Sequence, residues 1–240
     1  MKIEDKRPFK DRLEFVDYFT RCKKEILDKN ELILNLCRGK NVLDLGCIDH
    51  SAATALELGD NWLHKQIKDV AYHVIGIDIL EEDTNILNNI GFEIICADVE
   101  NFDLGRTYDV IVAGDLIEHL SNIGLFLNSV RKHMHEDSIL IITTPNPFNI
   151  EQAMSAIFDN VIYVNDQHAT WLSPHNFWEL SARHNLFLID FYWINTRFHF
   201  KVIRKHYNSF INRLSARIMR KRNICKPDYA VIMKKRSEKK

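Results

Sequence analysis

Several acidic residues of this chain stand where short hydrophobic runs end. Asn41-Val42-Leu43-Asp44-Leu45-Gly46 closes in a glycine and continues as Cys47-Ile48-Asp49-His50. Val74-Ile75-Gly76-Ile77 leads into Asp78 and Ile79, and Ile94-Ile95-Cys96-Ala97 leads into Asp98 and Val99. A carboxylate is an acceptor-only group with room for several donors, so Asp78 is placed to accept both hydroxyls of a ribose. An acid followed by an apolar residue, as in Asp98-Val99, can bind and cover an adenine edge. A fourth run, residues 108–113, leads into Gly114-Asp115-Leu116-Ile117-Glu118-His119. If a helix opens there, Asp115, Glu118 and His119 share one face. Two carboxylates and an imidazole suit a hard divalent cation. The competing assignment makes Asp115 an N-cap and leaves Glu118 and His119 as helix residues lining a pocket.

The elements that must position these residues follow from the hydrophobic pattern. Apolar runs of strand length recur at 72–79, 92–97, 108–113, 138–144, 186–193 and 229–233, with helix-like stretches such as 53–70 and 116–134 between them. Strands alternating with helices predict βαβ units, hence a doubly wound α/β domain with a mostly parallel sheet covered on both faces. Ligands in such sheets sit at the carboxyl ends of the strands, where the strand order switches. Residues 8–36 carry apolar positions at helical spacing, so residues 1–38 read as an N-terminal helical segment ahead of a domain spanning 39–240.

Composition narrows the class. With 240 residues, 46% hydrophobic and 27% charged, and only 8 Gly and 5 Pro, the chain is neither fibrous nor low-complexity. No stretch has the roughly 18 consecutive apolar residues of a membrane span. The charged start, Met1-Lys2-Ile3-Glu4-Asp5-Lys6-Arg7, is unlike a signal peptide. Five scattered cysteines without a Cys-x-x-Cys pair argue against a disulfide framework and fit a reducing, cytoplasmic setting. The net charge of −1 hides an asymmetry: residues 201–240 hold 14 Lys and Arg against Asp228 and Glu238, so the rest of the chain is strongly acidic. In residues 198–224, Ile203, Tyr207, Phe210, Ile211, Leu214 and Ile218 follow helical spacing among basic residues, which predicts a basic amphipathic helix inserted before the last strand. Such a helix can lie on an anionic membrane surface or on a phosphate backbone, or pack its apolar stripe on the sheet.

The four strand ends, in this order and at these intervals, resemble the class I S-adenosylmethionine-dependent methyltransferases over roughly residues 40–195. The resemblance implies a Rossmann-like seven-stranded sheet whose last strand is antiparallel. It also implies that S-adenosylmethionine is bound through Asp44, Gly46, Cys47 and Ile48 at its aminocarboxypropyl end. Asp78 and Ile79 would meet the ribose, Asp98 and Val99 the adenine, with Gly114 and Asp115 closing the site. One departure stands out: the family's Gly-x-Gly-x-Gly is replaced here by Gly46-Cys47-Ile48. Glycine permits a positive φ and close backbone approach, so the loop must follow another path or the cofactor must sit differently. A chain that had lost cofactor affinity would be a binding or scaffold protein.

Asp115-x-x-Glu118-His119, with Thr144-Pro145-Asn146 and His168 downstream, is similar to the terminal 2′-O-methyltransferases of small RNAs and to the ubiquinone-biosynthesis O-methyltransferases. That likeness implies a divalent ion (Mg, Mn, Fe, Co or Zn) held by Asp115, Glu118, His119 and His168, with Glu118, His119 and His168 as catalytic residues. His119 or His168 could instead act alone as general base. Gly46-Cys47-x-x-His50, Trp62-Leu63-His64-Lys65 and Thr144-Pro145-Asn146-Pro147-Phe148 look like bacterial methyltransferases of cell-surface polysaccharide synthesis. The expected activity is therefore O-methylation of a small-molecule or glycan acceptor, most directly a sugar of a surface or lipid-linked glycan, with peripheral contact at the inner face of an anionic membrane. Ribose 2′-O-methylation of RNA is the alternative; the acidic body and the absence of an appended RNA-binding module weigh against it.

Overall fold

The hydrophobic runs form eight strands in a computed structural model that describes residues 9–22, 24–158, 160–162, 164–195, 217–218 and 222–236. These are Glu25–Ile26 (β1), Asn41–Leu45 (β2), His73–Asp78 (β3), Ile94–Cys96 (β4), Tyr108–Gly114 (β5), Met134–Pro145 (β6), Leu186–Ile194 (β7) and Asp228–Lys235 (β8). They make one sheet in the order β1-β7-β8-β6-β5-β2-β3-β4. Neighbours pair in parallel except β8, which runs antiparallel to both β6 and β7. The doubly wound sheet with its antiparallel last strand is the expected one, extended by the two-residue edge strand β1. The strand order reverses at β2, between β3 and β5, so the carboxyl ends of those strands form the crevice where such sheets bind ligands.

Side chains alternate across the strands with period two. Leu43, Leu45, Ile75, Ile77, Ile111 and Ala113 face one side and pack with Phe15 and Phe19 of Arg12–Arg21 (α1), Phe126 and Leu127 of Ile123–Lys132 (α6), and Phe177 of Pro174–Arg183 (α8). Val42, Val74, Val110 and Val112 face the other side, against Ile33 and Cys37 of Lys29–Cys37 (α2) and Ile67 of Leu63–Val70 (α4). Each fully buried side chain of this size stabilises the fold by roughly 1.5–3 kcal/mol. Ala52–Leu58 (α3), Glu81–Asn89 (α5) and Ile150–Phe158 (α7) complete the helices.

Three sequence expectations change. The helix-like stretch 53–70 is two helices, α3 and α4, because Gly59 takes φ +54° and a 3₁₀ turn intervenes at Gly59–Asn61. The helix expected over 116–134 begins only at Ile123. Glu100 captures the N–H groups of Ser121 and Asn122 at 2.8 and 2.7 Å and so takes the place expected of Asp115 as the cap. The segment 1–38 is not purely helical: Glu25 and Ile26 pair with Trp193 and Ile194, and Trp193 Nε1 donates to the Phe19 carbonyl at 2.8 Å.

The basic helix expected over 198–224 lies largely outside the described residues. Arg217 and Ile218 are helical, and Ile218 packs beside Ile150 and Met154. No helix among the described residues is long and apolar enough to cross a membrane.

Candidate functional site

The loop after β2 resolves the missing glycines. Gly46 has φ +66°, a conformation that L side chains rarely adopt, and a Cβ there would press on the Leu116 side chain at 2.7 Å. The next positive φ falls on His50, at +60°, rather than on Ile48. Ile48 turns inward with Cys47 to join Ala52, Ala55, Trp62, Leu87 and Ile94 in a small buried cluster. Trp62 Nε1 donates to the Cys47 carbonyl at 2.8 Å, and the Ile48 N–H donates to Asp78 Oδ2 at 2.8 Å. Apolar packing and two hydrogen bonds thus shape this loop in place of the glycines that the resemblance implies. Burial pushes the Cys47 thiol well above its ordinary range, so it is an inert packing group.

Asp44 is 2% exposed and sits on the sheet face opposite Leu43 and Leu45. Its Oδ2 lies 2.9 Å from Nδ1 of His64, which is 1% exposed on α4. The sequence marks Asp44 for the cofactor and His64 only within Trp62-Leu63-His64-Lys65; the pairing of the two is visible only once α4 crosses this face. Asp78 is buried at the end of β3, accepting from the backbone N–H groups of Ile48 and, at 3.3 Å, Leu80. Burial raises its pKa, against those bonds. Four lone-pair sites leave it capacity for a further donor. Ile79 beside it is 69% exposed, an apolar surface over the crevice. Asp98 is exposed at the end of β4, its Oδ1 accepting from Glu100 N at 2.8 Å, while Val99 is buried in the main core. Gly114 is half-buried at the end of β5.

Asp115 is not part of a helix. It takes φ +48°, and its N–H reaches both the carbonyl and the hydroxyl of Thr143. Thr143 Oγ1 returns a 2.7 Å hydrogen bond to Asp115 Oδ1, and Lys29 Nζ pairs with Asp115 Oδ2. The carboxylate is thereby turned toward α2. Lys29 was not foreseen, because nothing in the spacing of a helix start marks a residue for the far side of a crevice.

Glu118, His119 and His168 do come together. Each offers a ligand atom, and these atoms lie within 4.8 Å of one another; Asp115 is not in the group. Backbone bonds create the meeting. The Glu118 carbonyl accepts from Ala169 N at 2.8 Å and Thr170 N at 3.0 Å, which lays the segment after His168 along the 3₁₀ turn Ile117–His119. Glu118 is buried, and Thr144 Oγ1 donates to its Oε2 at 3.0 Å. Burial raises the Glu118 pKa. His119 Nδ1 lies 3.2 Å from the Gln167 carbonyl, a contact that fixes the proton on Nδ1 and leaves Nε2 as the free donor atom. Burial, then the neighbouring His119, lowers the His168 pKa, so its ring is neutral at pH 7. One carboxylate and two imidazoles fit a divalent transition ion. Beside them a cavity of about 70 Å³ is lined by Asn146, Asn149, Gln152, Asn165, His168 and Trp171 among others. A larger depression of about 400 Å³, lined by Phe9, Tyr18, Lys24 and Asp190, contains none of these groups.

Residues 17–190 match the methyltransferase domain family, and the chain belongs to it: with this fold it is a class I S-adenosylmethionine-dependent methyltransferase domain. Among curated relatives, the (S)-tetrahydroprotoberberine N-methyltransferase of Eschscholzia californica is 28% identical over 134 residues, covering 56% of this chain and 37% of that protein. The ubiquinone biosynthesis O-methyltransferase of Bradyrhizobium diazoefficiens is 24% identical over 133 residues, 52% of this chain and 47% of that protein. The chain thus spans between about a third and a half of the length of these relatives. Solved structures share the fold. A SAM-dependent methyltransferase from Archaeoglobus fulgidus aligns with TM-score 0.51 at 19% identity, over 94% of this chain and all of that one. The S-adenosylhomocysteine-bound O-methyltransferase of a polyketide synthase from Brevibacillus brevis aligns with TM-score 0.52 at 16% identity, over 86% and 72%.

Proposed function

We propose that this domain transfers the methyl group of S-adenosylmethionine to a hydroxyl oxygen of an acceptor bearing neighbouring hydroxyls, a sugar of a cell-surface or lipid-linked glycan. The observation that carries this reading is the convergence of Glu118, His119 and His168 beside a cavity lined by amides and the Trp171 indole. A sugar hydroxyl is too weakly acidic to attack at neutral pH without help. A divalent ion held by Glu118, His119 and His168 supplies Lewis acidity to such an oxygen. Thr144 and the Gln167 carbonyl orient Glu118 and His119 for that duty. With the ion bound all three side chains are ligands and the hydroxyl proton leaves to solvent; without it, His168, neutral at pH 7, can accept that proton. Asn149, Gln152 and Asn165 offer donors and acceptors to further hydroxyls, and Trp171 offers an apolar face.

The test is methyl transfer from S-adenosylmethionine to glycosides carrying a vicinal diol, with an amine and an RNA end as comparison acceptors. Transfer to the diol, lost in EDTA and restored by Mn²⁺ or a similar ion, is the expected result. Transfer indifferent to EDTA, with a pH–rate limb near the imidazole pKa of ~6.5, returns the role to a metal-free histidine base. Transfer confined to the amine or the RNA end overturns the acceptor, and failure to bind S-adenosylhomocysteine makes the domain a scaffold.

A further inference from the structure

Glu100 ties together two loops that border the crevice. It lies in the turn after β4, two residues beyond Asp98, and its side chain reaches the loop after β5. Its Oε1 accepts from the backbone N–H groups of Ser121 and Asn122 at 2.8 and 2.7 Å, and its Oε2 accepts from Asn122 Nδ2 at 2.8 Å. The Glu100 backbone is itself held twice. Asp98 Oδ1 accepts from its N–H at 2.8 Å, and Ser129 Oγ of α6 donates to its carbonyl at 3.1 Å.

The loop that Glu100 grips carries Glu118 and His119. Its 3₁₀ turn closes through His119 N to the Leu116 carbonyl at 3.0 Å and Leu120 N to the Ile117 carbonyl at 3.3 Å. A single 3₁₀ turn has poor hydrogen-bond geometry and little rigidity of its own, so whatever grips its ends sets its position. Thr170 grips the carbonyls of Ile117, Glu118 and Leu120 through its hydroxyl, at 3.3, 3.4 and 3.3 Å. Glu100 grips the amides that follow. Asp98 is exposed, so water competes for the bond that fixes the Glu100 backbone. A cofactor lying over Asp98 excludes that water, and the bond strengthens as the local dielectric falls. We propose that Glu100 is a positioning residue that couples the two sides of the crevice: S-adenosylmethionine against Asp98 orders Glu118 and His119, and an occupied acceptor side tightens the cofactor by the same factor. The inference rests on the proposed function for Glu118 and His119, and on the family resemblance for Asp98.

Two measurements on the whole domain test it. In calorimetric titration, saturating S-adenosylhomocysteine is expected to tighten Mn²⁺ binding about fivefold or more in the wild type and less than about twofold in Glu100→Ala. Glu100→Gln, of the same length, is expected to keep much of the effect. Glu100→Asp, one methylene shorter, is expected to lose it, and it carries the test should Glu100→Ala fail to melt cooperatively. Hydrogen exchange of the His119 and Leu120 amides reads the turn without any metal. S-adenosylhomocysteine is expected to slow it about fivefold or more in the wild type and less than about twofold in Glu100→Asp. Equal coupling in the wild type and in Glu100→Asp overturns the proposal, as does a wild type whose exchange ignores S-adenosylhomocysteine. If the wild type binds no Mn²⁺, the metal reading of the proposed function falls, and the exchange rates alone decide the role of Glu100.

Discussion

The backbone N–H of Ile48 donates to the Asp78 carboxylate at 2.8 Å, so the acid expected to hold a ribose also holds the loop that replaces the glycine-rich turn. One side chain serves both strands of the crevice. The bulk of Ile48 is accommodated because the loop points that side chain into the cluster with Trp62 and Leu87 and not toward the crevice.

Asp78→Ala is therefore expected to act twice. Losing a charged hydrogen-bond partner costs ~1.5–3 kcal/mol, so S-adenosylmethionine binding should weaken about tenfold or more by calorimetry. Unfolding should also shift to lower urea concentration, since Ile48 N–H loses its acceptor. An unchanged dissociation constant would remove Asp78 from the ribose site.

His119→Ala and His168→Ala should lower turnover sharply while S-adenosylmethionine affinity stays within about twofold, because the proposed function puts both at the acceptor. A calorimetric Mn²⁺ or Zn²⁺ signal present in the wild type should vanish in either variant. Asp115→Asn, by contrast, should keep that signal, since Asp115 is turned toward Lys29 and Thr143. Loss of metal binding in Asp115→Asn would return Asp115 to the ligand set.

The buried Asp44–His64 pair predicts a stability effect at a position that the sequence assigned to cofactor binding. His64→Leu strips a buried carboxylate of its partner and should cost about 3–5 kcal/mol. Adding Asp44→Leu should recover part of that loss. A double variant as unstable as the sum of the two single ones would show that the pair is not coupled.

His133 sets a pH dependence. It is 1% exposed, accepts from Leu104 N at 2.8 Å through Nε2, and burial holds its pKa below the usual imidazole range. The unfolded chain takes up this proton near pH ~6.5, while the folded chain does not. Stability contributed by His133 is thus present above ~6.5 and declines as pH falls toward the folded value, by at most ~1.4 kcal/mol per pH unit. His133→Asn should flatten the slope of urea stability between pH 7 and 5.5; an unchanged slope would assign it to other groups.

Changing Arg213, Arg217 and Arg220 to Gln should leave cofactor affinity intact and reduce binding to anionic phosphatidylglycerol vesicles, with the wild-type binding falling steeply as salt rises. Equal, salt-independent binding by both proteins would place the segment's function in packing.

Much of this was readable beforehand, for physical reasons. Strand ends such as Asp44, Asp78 and Asp98 announce themselves because buried parallel strands are apolar runs that stop at a polar residue. The meeting of Glu118 with His168 was suggested by likeness alone, since the backbone bonds from Ala169 and Thr170 join residues far apart in the chain. Asp115 was placed on a helix because its i, i+3, i+4 pattern is helical. The start of α6 was instead decided by Glu100, a residue from another connection. Lys29, and the pairing of His64 with Asp44, are not legible for the same reason: each partner lies on a distant element, and periodicity reports only which face a residue takes.

Because β8 lies between β6 and β7, the sheet closes only when its last strand arrives. On the ribosome, β7 emerges with an open neighbour position and waits through the synthesis of residues 195–227 before the strand that joins it to β6 exists. Until then the two halves of the molecule expose unpaired edges, the situation that holding chaperones relieve. A chain that stalls before Asp228 would leave Trp193 without the Tyr229 ring that packs against it.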